Sequence, residues 1–200
     1  MNMQANNNIR QREHVLWLFG LTLMAFLFLT VGCGGLRVAS ASTAGEINRD
    51  VNGALDTLYR TTPAAKKMAK VAKGILVFPH IVEGGLMVGG QYGEGALRVG
   101  GKTTGYYRSF AISYGLQAGA QSFGYALFFL SNEDLHYLKK SDGWELGVEP
   151  EVVVMDKGLA SSFSTTTFKP GIYAFFFNQK GLMAGITLQG SKITEFKPGR

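Results

Sequence analysis

The chain has 200 residues, 46% hydrophobic and 17% charged, which excludes a disordered polymer and leaves, once an apolar leader is set aside, about one globular domain with a real core. A formal charge of +6 and a pI near 9.4 favour anionic partners, among them phospholipid headgroups, nucleic acid and acidic polymers, without choosing among them. The single cysteine excludes an internal disulfide framework and any cysteine-based zinc cluster.

Asn2 to His14 is polar and carries Arg10 and Arg12, and Val15 to Gly32 is apolar and uncharged. A basic segment followed by an apolar one is an export signal. The run ends in Thr30, Val31, Gly32, Cys33, which resembles a bacterial lipobox with Thr30 in the place of the usual leucine. That resemblance makes Cys33 the lipidated first residue of the mature protein, an acyl anchor such as palmitate, and Gly34 behind it points to the outer membrane, facing the periplasm. Ala39, Ser40, Ala41 is a rival site for cleavage to a soluble exported protein, and the apolar run itself is long enough to stay as an anchor. On the first reading residues 1–32 are a signal peptide, 33–44 a flexible tether and 45–200 the working domain.

Ile47, Val51, Leu55 and Leu58 recur every three or four residues and predict an amphipathic helix ending near Arg60. Thr62 and Pro63 restart the chain as N-cap and first helical residue. The next helix, PAAKKMAKVAK, sets Ala65, Met68, Ala69 and Ala72 against Lys66, Lys67, Lys70 and Lys73. A basic amphipathic helix suits an anionic membrane surface, and it equally suits a solvated face on a helix docked to a core.

From Gly74 to Gly101 the pattern predicts a β-meander: Ile75 to Phe78 stopped by Pro79, a turn around Glu83 and Gly84, then a run broken by Gly89, Gly90, Gly93 and Gly95. Gly100, Gly101 and Lys102 make a turn and Tyr106 to Ser113 returns as a strand. ALRVGGKT falls one glycine short of a phosphate-binding loop, and the residues after Lys102 do not suit the helix such a loop needs. Gly115 to Leu130 predicts two strands, the second apolar on both faces and hence central. Ser131 and Asp134 cap a short helix ending at Lys139 and Lys140. Trp144 falls in a loop, Val152 to Met155 in a buried strand, and Phe163 to Phe168 in an edge strand. Ile172 to Phe177 is a strand, turned at Asn178 to Gly181 into further strands over Leu182 to Leu188 and Lys192 to Phe196.

One phrase recurs: Gly85 to Gly89, Gly115 to Gly119 and Gly181 to Gly185 each place two glycines four residues apart. On an extended strand such a pair faces one side, so Gly85, Gly89, Gly115, Gly119, Gly181 and Gly185 mark close packing, a sharp bend or contact with a ligand. Catalytic groupings are missing. His14, His80 and His136 have no ligand spacing, there is no nucleophile elbow, and Glu94 between two glycines is the best single candidate for a site carboxylate but reads more readily as an acidic turn residue. The expectation is a protein without enzymatic activity, metal or cofactor.

GILVFP, GGLMVGGQYGEGAL, YGLQAGAQSFGYALFFL and QKGLMAGITLQGSKI, in that order from Ile47 to Phe196, resemble the SYLF domain in its bacterial lipid-binding form. The resemblance implies binding of phospholipid or phosphoinositide headgroups. Ala65 to Lys70 is similar to the family's lysine-rich lipid-binding segment, which assigns a headgroup role to Lys66, Lys67 and Lys70, with Lys73 added by position. Some eukaryotic members bind actin; an exported envelope protein would not meet it, and no nucleic-acid partner is expected. The resulting expectation is an α+β domain, with N-terminal helices on a strongly bent, mostly antiparallel, glycine-rich sheet of about eight to ten strands, in a lipoprotein of the bacterial cell envelope. The alternative is a structural or stress-related envelope protein that binds a protein or a polymer.

Overall fold

The computed structural model describes residues 42–141, 143–146, 150–155, 169–181 and 190–199. Helix α1 spans Ala44–Thr61. Thr43 caps it reciprocally: its hydroxyl accepts from the Glu46 backbone at 3.3 Å, and the Glu46 carboxylate accepts from the Thr43 backbone at 2.8 Å. Thr43 also forms a parallel bridge to Gly199, so ordered structure starts within the expected tether. Ile47, Val51, Ala54 and Leu58 form the buried stripe, with Leu55 only at its flank.

Thr62 and Pro63 start α2 at the expected positions, though the Thr62 side chain makes no capping bond, and α2 spans Pro63–Met68 and stops short of Lys73. The chain tightens as it leaves, Lys70 N donating to Lys67 O at 3.2 Å and Val71 N to Met68 O at 3.0 Å. Lys73 N then donates to Phe129 O at 2.8 Å. That bond draws the backbone into the sheet, where an extended chain is needed from Gly74 onward.

Two long strands follow, β1 over Gly74–Val99 and β2 over Lys102–Phe129. They are joined at Gly100 and Gly101, whose φ angles of 58° and 79° suit a tight hairpin. The expected meander is therefore one strand. Glu83 and Gly84 sit in the ladder opposite Gln121 and Ala120 rather than in a turn, and register shifts at Phe78/Ile81 and Leu86/Val88 absorb what the sequence suggests are breaks. The two strands expected over Gly115 to Leu130 are likewise continuous with β2, which also rules out a helix behind Lys102.

Beyond the hairpin lie α3 (Asn132–Lys140), β3 (Trp144–Glu145), β4 (Val152–Met155), β5 (Ile172–Gly181) and β6 (Lys192–Phe196). Ser131 caps α3 by accepting from Asp134 N at 3.0 Å. The first half of β1 pairs with the second half of β2, then β5 and β4; the second half of β1 pairs with the first half of β2, then β6 and β3. The result is a strongly curled half-barrel of eight pairing segments with helices packed on it, an α+β fold. Among the described strands, only β4 runs parallel to its neighbour.

Curling gives the sheet an inside and an outside, and each has a core. Inside, Leu76, Phe78, Leu97, Phe123 and Tyr125 meet Leu135 and Leu138 of α3. Phe78 and Tyr125 stack with ring centroids 4.8 Å apart. Outside, Ile75, Val77, Phe128 and Phe175 lie in one cluster with the buried residues of α1 and α2. β2 is central and apolar on both faces, as its sequence predicts.

Three further expectations change. Trp144 is not in a loop but in β3, 1% exposed and 6.0 Å from the Phe129 ring. β4 is the end strand among the described ones, with Val154 half-exposed and only Met155 buried. The turn expected at Asn178 to Gly181 does not form there: Asn178 takes a left-handed φ of 54° beside the Ser122/Gly124 shift, and Lys180 and Gly181 stay paired with Ser122 and Gln121. The strands expected over 163–168 and 182–188 fall outside the described residues.

Candidate functional site

Lys66, Lys67, Lys70 and Lys73 are all exposed. They do not share one helical face, because α2 ends at Met68: Lys66 and Lys67 project from the helix, while Lys70 and Lys73 follow in the turn that leads to β1. What unites them is the corner they crowd. Ala64, Ala65 and Met68 of the same segment are buried in the outer core, so this amphipathic element is docked and its ammonium groups are left to solvent. Among the described residues, the one ion pair is Arg108 with Glu94, and it takes none of these lysines.

An open depression of about 890 Å³ lies beside Lys66, lined also by Gly53, Asp56, Thr57, Tyr59 and Arg60. Arg60 is the residue the sequence reading passes over. It stands on the last turn of α1, where a cation complements the helix dipole, and the break at Thr62 and Pro63 swings α2 back so that Lys66 shares its hollow. Burial pushes the Tyr59 phenol up, so it stays a neutral hydrogen-bonding group there. Arg60 and Lys66 line the same hollow and together outweigh the Asp56 carboxylate there, and Arg60 offers an anionic group a planar fork. We expect Arg60→Gln to weaken binding of phosphatidylglycerol vesicles about fivefold, close to the worth of one cation at an anionic surface, while stability falls by no more than about 1 kcal/mol through the lost charge at the helix end; vesicle sedimentation beside thermal denaturation checks both.

The recurring glycines have diverse surroundings. A Cβ at Gly85 would collide with the Gly89 Cα and lie 2.6 Å from Val88 O, so these two face each other across a bend instead of sharing one side of an extended strand. Gly115 lies in β2 at the same register shift, and Gly119, opposite Gly85, has a φ of 151°. A Cβ on Gly181 would strike the Ala120 carbonyl oxygen. Gly185 is outside the described residues, as are Cys33 and the whole leader. Of the three open readings, a sharp bend accounts for Gly85 and Gly89 and close packing for Gly181.

The interior near this bend is polar. Gln121 Nε2 donates to Glu83 Oε2 at 2.8 Å, Gln91 Nε2 to Ser191 Oγ at 3.4 Å, and Tyr125 Oη to Ser109 Oγ at 2.9 Å, all buried. These bonds occupy polar groups that would otherwise be costly so far from water.

Glu94 is not a turn residue. It sits in β1 opposite Arg108, its carboxylate accepting from Tyr92 Oη at 2.6 Å and from Arg108 Nε at 3.2 Å, while the Arg108 guanidinium lies 4.0 Å above the Phe196 ring. Burial opposes its ionisation, but hydrogen bonds from Tyr92, Ser42 and Arg108 and the Arg108 charge together hold the carboxyl below its ordinary 4.5. A depressed folded-state pKa contributes stability that is present above the unfolded value and lost as pH falls through the folded one. We therefore expect a melting temperature that declines as pH drops below 4.5, and a shallower decline in Glu94→Gln, measured by calorimetry across that range.

Among the described residues, no cluster of three or more His, Cys, Asp or Glu side chains is placed to hold a metal ion, and no helix is long and apolar enough to cross a membrane. His136 is exposed on α3, and His80 is exposed beside Pro79. No protein-family model matches this chain, and no curated protein matches it.

Proposed function

We propose that the protein binds anionic phospholipid headgroups without catalysis, as a lipoprotein held at the bacterial envelope through Cys33. The observation that carries this reading is the corner at the end of α1: Lys66, Lys67, Lys70 and Lys73 exposed, Arg60 beside them, and the apolar side of the segment already spent on the core. Such a corner works as a charged surface, gripping headgroups from outside without inserting a helix. The resemblance of the ordered motifs to the SYLF domain supports the same reading.

The test is co-sedimentation of the purified chain with vesicles of phosphatidylglycerol, of phosphatidylcholine and of phosphoinositide-doped phosphatidylcholine. Tighter binding to the anionic vesicles than to phosphatidylcholine, with the difference weakened by salt, supports the proposal. Binding to none of them overturns it in favour of a protein or polymer partner, and turnover of a lipid during the assay makes the protein an enzyme.

A further inference from the structure

At the opposite end of α1 the sheet leaves a different surface uncovered. On the outer face of the hairpin, Val88 and Tyr92 of β1 alternate with Gly90, while Phe110 and Ile112 of β2 stand opposite Tyr92 and Gly90. These four side chains are 46–56% exposed, and Val82 nearby is 62% exposed. Glycine at position 90 adds no cover: a Cβ there would meet only the Ala111 carbonyl oxygen, at 3.8 Å. The helices cover Ala96 and Tyr106 further along the same face and stop before this group. Aliphatic and aromatic side chains clustered on one exposed face mark an interaction surface.

Where the chain comes in suggests what covers it. Ser42 lines a depression of about 200 Å³ together with Val82, Tyr92, Pro79 and Ile47. Eight residues separate Cys33 from Ser42, a contour of at most about 30 Å. An acyl chain on Cys33 therefore keeps this end of the domain close to the bilayer. Tyr92 suits the membrane interface, with its ring exposed and its hydroxyl already bound to Glu94. Lys192, paired with Phe110 and exposed, adds a cation at the rim.

We infer that Val82, Val88, Tyr92, Phe110 and Ile112 form a membrane-resting surface that sits in the interfacial layer of the bilayer to which Cys33 anchors the chain. The inference rests on the lipid-anchored reading above and assigns a contact separate from the lysine corner. Its attraction is burial of apolar area, so salt leaves it unchanged, in contrast to the lysines. Each large side chain lost from it weakens vesicle association about tenfold.

The experiment places a reporter in the surface. Phe110→Trp and, as a remote control, Tyr137→Trp on the exposed side of α3 are made in the full chain and reconstituted in phosphatidylglycerol–phosphatidylcholine vesicles with brominated acyl chains. The expected result is strong quenching of the indole added at position 110, none of that added at 137, and no effect of salt. Ile112→Trp gives the same readout should Phe110→Trp fail to fold. Co-sedimentation with an unquenched indole at 110 and 112 overturns the inference and leaves headgroup binding standing. Absence of co-sedimentation overturns both. Equal quenching at 110 and 137, or a blue-shifted unquenched indole in a particle of dimer mass, also overturns it, the latter by showing a second copy on this face.

Discussion

Replacing Lys66, Lys67 and Lys70 together with glutamine is expected to lower affinity for phosphatidylglycerol vesicles about a hundredfold at physiological salt. Each lysine close to an anionic membrane contributes about 1 kcal/mol, and three of them account for that factor. Fold is not at stake, because all three are exposed and glutamine keeps the part of the apolar stem nearest the backbone. The parent should lose affinity steeply as salt rises and the triple variant only weakly, since screening acts on charges separated by more than a Debye length of about 8 Å. Sedimentation across a salt series measures both slopes. Equal affinity in parent and variant, with no salt dependence in either, would remove the lysine corner from the account.

The largest effect on stability is expected from Gly95→Val. A Cβ at Gly95 would collide with the Val77 carbonyl oxygen and lie 2.8 Å from Phe78 Cδ1 and 2.9 Å from Val77 C. Two of those atoms are backbone in the first half of the same strand, so no rotamer change relieves the clash. At Gly93, a Cβ would lie 2.6 Å from His80 O, so the second half of β1 rests directly against the first along this stretch. The valine variant should lose about 3 kcal/mol or more, a large share of an ordinary domain's margin. Gly90→Ala, placed in open space, should stay within about 0.5 kcal/mol of the parent. Urea denaturation of both decides it, and a Gly95→Val protein that unfolds at the parent's midpoint would mean that the two halves of β1 do not touch.

Much of the fold was legible locally. The spacing of Ile47, Val51 and Leu58, the cap before α3, the Gly100–Gly101 hairpin and the two-sided apolar run in β2 all follow from short-range patterns, and the structure has each of them. Continuity was not legible. Glycines and Pro79 look like punctuation in a linear reading, yet in β1 they serve a strand that bends over itself, because the atoms Gly93 and Gly95 avoid belong to residues 77–81. Only the three-dimensional register reveals that. The candidate site divides the same way. Exposure of the four lysines follows from the amphipathic pattern, whereas Arg60 joins them through the angle between α1 and α2, and beyond the early end of α2 the Lys73 backbone bonds to Phe129, a β2 residue distant in sequence that faces the start of β1.

Helix α1 also works as a ruler. At about 1.5 Å per residue, its 18 residues hold Ser42 and Arg60 about 25 Å apart, on a rod pinned to the sheet along one side by Ile47, Val51, Ala54 and Leu58. A single flat bilayer touches both ends only when the rod lies along it. Were the domain to stand upright on the end that the proposed anchor at Cys33 would hold, it would present its cations to whatever faced it across the gap, at a standoff close to the thickness of one membrane's hydrocarbon layer. Under the proposed function, lying or standing would be a choice between gripping one membrane twice and bridging two, and the tilt of α1 in oriented bilayers would read it directly.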